Sequence, residues 1–301
     1  MRKIKTKLII AAALILLGAI IFASTMTALS WDFRKLSTMK MQTKDYEITQ
    51  DFNDINITSR TADVVFAASN DGTCKVVCYE EVKMTHTVGV ENGALTIAVK
   101  DEKTWIDYIG LNFYTPKITV YLPADEYGAI NIDNSTGHVS LPDSFKFNCI
   151  DIEVTTGHVE CRASASDAIK IKATTGHIDL ANLSANSVNL SLSSGNTEIS
   201  NVKCNTLTAS STTGDVTLDD VIVGGKLSVK CTTGDVELED SDAGEIWIKT
   251  NTGDVEGSLL SEKTFITHTT TGDVDVPRNT TGGVCEITTT TGDIEISIKS
   301  K

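Results

Sequence analysis

Three histidines and five aspartates stand at one point of a repeated phrase, and these are the residues of the chain best suited to chemistry. Thr-Thr-Gly-Asp-Val occurs whole at residues 212–216, 232–236 and 270–274 and returns with small changes elsewhere towards the end of the chain. Its glycines are Gly137, Gly157, Gly176, Gly195, Gly214, Gly234, Gly253, Gly272 and Gly292, at spacings of 20, 19, 19, 19, 20, 19, 19 and 20 residues. With the glycine as position zero, +1 reads His138, His158, His177, Asn196, Asp215, Asp235, Asp254, Asp273 and Asp293. A histidine run at this spacing could offer imidazoles to Zn²⁺, and stacked carboxylates could offer oxygens to Ca²⁺. The competing reading is turn chemistry, because Asp, Asn and His all serve beside a corner glycine. Two features favour it. The side-chain type changes along the column, and the G-G-x-G-x-D nonapeptide of calcium-binding β-helices does not occur. No cofactor is therefore expected, with a divalent cation at this column as the alternative.

Catalysis has one foothold here. Carboxylates one coil apart would lie near the roughly 5 Å separation of retaining glycosidases. Five equivalent aspartates are not a differentiated acid and base, however, and no aromatic platform for a sugar stands beside them. The chain also lacks G-x-S-x-G, H-E-x-x-H and a phosphate-cradling glycine loop. No catalytic residue is expected. Seven cysteines, at 74, 78, 149, 161, 204, 231 and 285, show no C-x-x-C spacing. They read as mostly buried free thiols. Cys74 and Cys78 would share a strand face roughly 13 Å apart, too far to bridge.

The elements that hold the column are legible from periodicity. Positions −7, −5 and −3 read Ile150, Ile152, Val154, then Ile169, Ile171, Ala173, then Leu227, Val229, Cys231. Positions +2 and +4 read Val159 and Cys161, Val216 and Leu218, Val236 and Leu238. Period two on each side of the glycine means half-buried strands, and the odd jump from −3 to +2 makes the glycine a corner. Position −1 is Thr or Ser throughout, which suits strands. A further turn must close each coil around +6 to +12, where Ser, Asn, Asp and Gly cluster. The fold class is all-β: a parallel β-solenoid of 19–20-residue coils, the nine copies spanning roughly 43 Å at about 4.8 Å per layer. A propeller blade would need roughly twice the repeat. Thr280-Thr281-Gly282-Gly283-Val284 mimics the phrase out of register and reads as a loop.

Upstream the pattern is less regular. Around Ala62, Ile55, Ile57, Val64 and Phe66 fall at the repeat's offsets, which marks a degenerate earlier coil. Further strands are expected at residues 75–79, 85–90, 94–99 and 117–122. Trp105, Tyr108, Phe113 and Tyr114 lie in a segment expected to plug one end of the stack, or else to serve as a binding loop or lid. Residues 8–29 carry no charge and are long enough to cross a hydrocarbon core as a helix. Arg2, Lys3, Lys5 and Lys7 precede them, so residues 1–7 are expected in the cytoplasm and the rest outside, on an uncleaved single-pass anchor. Residues 30–45 read as a linker, 46–136 as irregular β coils with an aromatic insertion, and 137–301 as regular repeats. The four basic residues before the helix belong to a net charge of −14, which leaves −18 for the remainder. Such a surface repels nucleic acid and suits cations, basic proteins or plain solubility.

The phrases Leu95-Thr96-Ile97, Ile118-Thr119-Val120-Tyr121-Leu122-Pro123, Ile130-Asn131-Ile132 and Ser135-Thr136-Gly137-His138-Val139, followed by serial Thr-Thr-Gly-Asp-Val, carry a resemblance. Over about residues 54–298 the chain resembles the bacterial "putative adhesin" domain family. The resemblance implies a β-solenoid, an N-terminal membrane helix and a place at the cell envelope, and it brings no catalytic residues. His for Asp in the first three registered copies departs from the family phrase. The function expected is a cell-surface binding or scaffolding module for an envelope polymer or protein. The alternatives are a carbohydrate-active enzyme on the same scaffold and an accessory or sensor protein of envelope stress.

Overall fold

The computed structural model describes residues 2–108 and 113–299. Helix α1 (Arg2–Ala28) is followed by a 3₁₀ turn (Phe33–Leu36) and by β1 (Met41–Ile48), β2 (Asp54–Ser59), β3 (Asp63–Ala68), β4 (Cys74–Glu81), β5 (Met84–Glu91) and β6 (Ala94–Asp101). A second 3₁₀ turn (Trp105–Tyr108) leads to β7 (Lys117–Leu122), β8 (Glu126–Thr136), β9 (Val139–Leu141) and β10 (Lys146–Cys161). Then come β11 (Ser164–Ser194), β12 (Thr197–Thr213), β13 (Val216–Thr233), β14 (Val236–Lys249), β15 (Val255–Leu259), β16 (Lys263–His268), β17 (Val274–Asp275), β18 (Gly283–Thr288) and β19 (Ile294–Ile298).

The solenoid is parallel and in register. Ile150 pairs with Ile169, Val188 with Leu207 and Leu227 with Ile246. The inward set is the one that parity predicts, with Ile150, Ile152, Val154, Val159 and Cys161 all buried. Each Ile, Val or Leu so placed contributes about 1.5–3 kcal/mol over leaving it in water. The second corner falls at +6, where Asn182, Asn201, Asp220 and Asp240 adopt φ of 57°, 49°, 52° and 48°. Asn and Asp tolerate that left-handed conformation because their short side chains bond locally. At the first corner the requirement for glycine is steric as well as conformational. Gly176 has φ +138°, and a Cβ there would lie 1.7 Å from the carbonyl oxygen of Gly157 in the coil below. The corner glycines stack so closely that each fills the space a neighbour's side chain would need.

Layer order departs from chain order at both ends. β2 and β3 pair with β8 and β9 on one side and with β6 and β7 on the other, so the Ala62 coil lies inside and the later β6–β7 coil outside it. At the far end β18 and β19 pair with β14 and β15. They pair with β16 and β17 on their other face. The Gly292 coil is thus an inner layer, and the earlier Gly272 coil is the outermost. Lys299, just after β19, pairs with Asp240 two layers down. The outer edge is blunted by the two-residue strand β17, with Pro277 soon after it.

Two further expectations change. Part of the linker is strand β1, an edge strand antiparallel to β4. Its burial alternates, but the polar Gln42 and Lys44 stand on the half-buried face, which hid it in the sequence. The aromatic insertion does not plug the stack: Trp105 is 73% exposed, and Ile106, Tyr108 and Phe113 are exposed too. The end is closed by the antiparallel β4, β5 and β6 instead. Gly282 lies in the expected loop, with φ +92°. All seven cysteines are free, five of them buried. Helix α1 is long and apolar enough over Lys7–Ala28 to cross a membrane, with mean hydropathy 2.6.

Candidate functional site

The corner column forms a ladder of hydrogen bonds. Asn196 Oδ1 accepts the backbone N–H of Asp215 at 3.1 Å. Asp215 does the same for Asp235 at 3.0 Å, and Asp235 for Asp254 at 2.8 Å. The ladder then runs to Asp293 and ends at Asp273. The same bond recurs at the other end of the column, where Asp63 Oδ1 accepts the N–H of His138 at 2.8 Å. Asp215, Asp235, Asp254 and Asp293 therefore each spend one oxygen on a neighbour's backbone. These four sit in one repeated environment, which gives no means of separating an acid from a base.

The buried −3 position completes the corner. Thr250 and Thr289 donate to the carbonyls of Gly234 and Gly253, at 3.3 and 3.2 Å. Asn134 donates to Ala62, the residue in the glycine's place, at 2.9 Å. Polar residues in an otherwise apolar column are there to satisfy the corner carbonyls. Thr156 and Thr213, at −1, face solvent.

The histidines are a stack of rings. His138 and His158 lie 5.1 Å apart and nearly parallel, 6° between planes, and His177 meets His158 edge-on at 6.2 Å. Partial burial, then the neighbouring His138, hold His158 below the usual imidazole range. His138 Nε2 lies 3.6 Å from Glu160. Glu160 and Asp179 are the first carboxylates of a +3 column, and Arg162 pairs with both.

Further along, the +3 column is uncompensated. Glu237 pairs in register with Glu256, Glu256 with Glu295 and Glu295 with Asp275. Among the described residues none of the four carboxylates has a Lys or Arg partner. The strand segment before the corner differs, for there Lys170 and Lys172 meet Asp151 and Glu153 of the coil below at 2.8 and 2.6 Å.

A cluster that sequence reasoning missed lies under the N-terminal cap. Glu80 Oε2 accepts from the backbone N–H of His86 at 2.6 Å and faces its Nδ1 at 3.0 Å. Nε2 of the same ring is 3.3 Å from Ser59 Oγ. Burial raises the Glu80 pKa, but the bonds from His86 and Lys44 outweigh it and leave the carboxyl below its usual range. Cys78 shares this inner face, and burial, with Glu80 adding to it, pushes its thiol up to about 12. The signal was present in the sequence: Cys78 and Glu80 are two apart on a strand, and a histidine follows in the next. A search of cysteine spacing alone could not see it.

The sequence matches the family Toastrack DUF4097 over residues 52–221 and again over 187–301, together more than half of the chain. The chain belongs to that family. Among solved structures this Toastrack chain is similar to a "putative lipid binding protein" from Parabacteroides distasonis, with TM-score 0.55 and 17% identity over 87% of this chain and 98% of that one. It is also similar to a "putative adhesin" from Bacteroides fragilis, with TM-score 0.50 and 17% identity over 73% and 97%. At such identity the likeness establishes the fold alone. No curated protein matches the Toastrack chain.

Proposed function

We propose that this Toastrack chain is a binding rod held at the outer face of a bacterial membrane by residues 8–29, and that it meets its partner through its acidic face. The observation that carries the reading is the uncompensated +3 column of Glu237, Glu256, Glu295 and Asp275, which lines a shallow groove with Val276 and Pro277. Carboxylates one strand apart repel each other, and a cationic partner relieves that repulsion. A basic protein segment fits this face, and so does an envelope polymer bridged by cations. The adhesin and lipid-binding descriptions of the structural neighbours agree with a binding role. The shared geometry of the corner aspartates argues against a glycosidase on the same scaffold.

The full chain in nanodiscs, offered envelope proteins and cell-wall polymers in a pull-down, should retain a partner. Retention should fall with salt and be lost on combined Glu237→Gln, Glu256→Gln and Glu295→Gln substitution. A partner held equally by the substituted chain would remove this face from the proposal, and no retained partner at all would remove the binding role.

A further inference from the structure

Cys78 and Glu80 point to one side of β4. His86 faces them from β5. Cys78 is 0%, Glu80 1% and His86 5% exposed. One donor atom from each, a sulfur, an oxygen and a nitrogen, lie within 4.8 Å of one another. Nothing in the binding role proposed above uses them, and the core around them is otherwise built mainly of aliphatic side chains.

We propose that Cys78, Glu80 and His86 form a buried site for one divalent transition-metal ion of the zinc class, with Ser59 as a positioning residue. A thiolate, an imidazole and a carboxylate together are a zinc donor set. Calcium and magnesium favour oxygen ligands alone. One dication with one thiolate and one carboxylate is neutral, and that suits a dry interior.

The proton accounting closes. An ionised Glu80 can only accept, so without metal Nδ1 carries the ring proton and Nε2 accepts from Ser59. On binding, the metal takes the place of the proton between Nδ1 and Oε2. The ring proton moves to Nε2 and is donated to Ser59 Oγ, the outer-shell bond that commonly orients a ligating histidine. The thiol proton leaves to solvent, so binding tightens as pH rises. Access lies on the β1 side, where Gln42 and Lys44 reach Glu80 Oε1 at 3.4 and 3.3 Å from an edge strand. Cys74 is four residues away on the same strand, too far to join the site.

The test is a Co²⁺ titration of the full chain in detergent, with cobalt as the spectroscopic probe. One equivalent should give a thiolate-to-cobalt charge-transfer absorption with tetrahedral d–d bands, both displaced by Zn²⁺. Cys78→Ser should abolish the charge-transfer absorption, and Cys74→Ser should keep it. Ser59→Ala should weaken cobalt roughly 10-fold while leaving the spectrum unchanged, which a merely structural role would not do. If Cys78→Ser fails to fold, His86→Gln serves in its place and should weaken cobalt by at least about 10-fold. A wild-type chain without the charge-transfer absorption, or a folded Cys78→Ser chain that retains it, overturns the site.

Discussion

Asp254 Oδ1 accepts the backbone N–H of Asp293, 39 residues on, at 2.7 Å. Asp293 in turn accepts from Asp273 at 2.7 Å. The ladder therefore passes through the last coil before it reaches the one preceding it in the chain. The outermost coil has no lower partner except β18 and β19. Removing residues 283–301 should accordingly unfold residues 263–276 as well. Hydrogen exchange followed by mass spectrometry should show both segments losing protection together. Amides of 263–268 that stay protected in the shortened chain would contradict this layer order.

The ladder itself needs an acceptor oxygen more than a charge. Asn196 already fills the role for Asp215. Asp254→Asn should thus cost little, and by easing the repulsion between stacked carboxylates it could even stabilise slightly. Asp254→Ala leaves the Asp293 N–H without its acceptor and should cost about 1–2 kcal/mol. Denaturant melts of the two variants decide it: equal losses would mean that the carboxylate matters for its charge.

Gly176→Ala tests the corner stack. The added methyl meets a backbone carbonyl at 1.7 Å, and a backbone atom cannot step aside as a side chain can. Overpacking of this kind costs roughly 1–3 kcal/mol, and the left-handed φ adds to it. Gly89→Ala is the control, since nothing lies within 4 Å of the position a Cβ would take there. A Gly176→Ala chain that melts with the wild type would mean that the corner glycines are not close-packed.

Much of this was readable because a solenoid repeats its own evidence. Parity about Gly157 and Gly176 located the corner, and Ala62 was recognisable as a stand-in for the glycine. Layer order was not readable. Successive coils carry nearly the same phrase, so Asp254 can serve Asp273 or Asp293 equally well by sequence, and the long-range pairing chooses. The rings of the insertion misled for a different reason. Trp105 looks like buried area, yet its 3₁₀ turn is pinned outside by polar contacts: Asp107 to Thr104 and Lys83, and Tyr108 to Asp101. The Cys78, Glu80 and His86 cluster depends on a hairpin that folds one strand over another, a relation no spacing along one strand contains.

The stacked histidines should make stability depend on pH. His158 has a folded pKa below its unfolded value near 6.5, so the unfolded chain binds more protons there. The stabilisation is present above about pH 6.5 and is lost as pH falls below it. His158→Asn, the residue the repeat itself uses at Asn196, should flatten that part of the profile. Thermal melts between about pH 7.5 and 5 measure it, and an unchanged slope in the variant would place the dependence elsewhere.

The aromatic insertion should lie at the membrane interface if α1 spans the bilayer. Phe33, five residues past the end of the helix, has its ring 6.4 Å from that of Phe113. Trp31, two residues before Phe33, and Trp105, in the insertion that carries Phe113, are both exposed. Trp and Tyr favour the headgroup level, where an apolar ring and a polar tip are both accommodated. With Trp31→Phe and Trp247→Phe leaving Trp105 as the single emitter, the chain reconstituted in bilayers should be quenched by lipids brominated near the headgroup. A second chain keeping only Trp247, on β14, should not be. If a third chain keeping only Trp31 is quenched and the Trp105 chain is not, α1 spans but the insertion stands clear of the lipid. Quenching of Trp105 would mean instead that the N-terminal cap rests on the bilayer, with the β6–β7 layer nearest the lipid and the acidic +3 column of Glu237, Glu256 and Glu295 towards the distal end, where a partner can reach it.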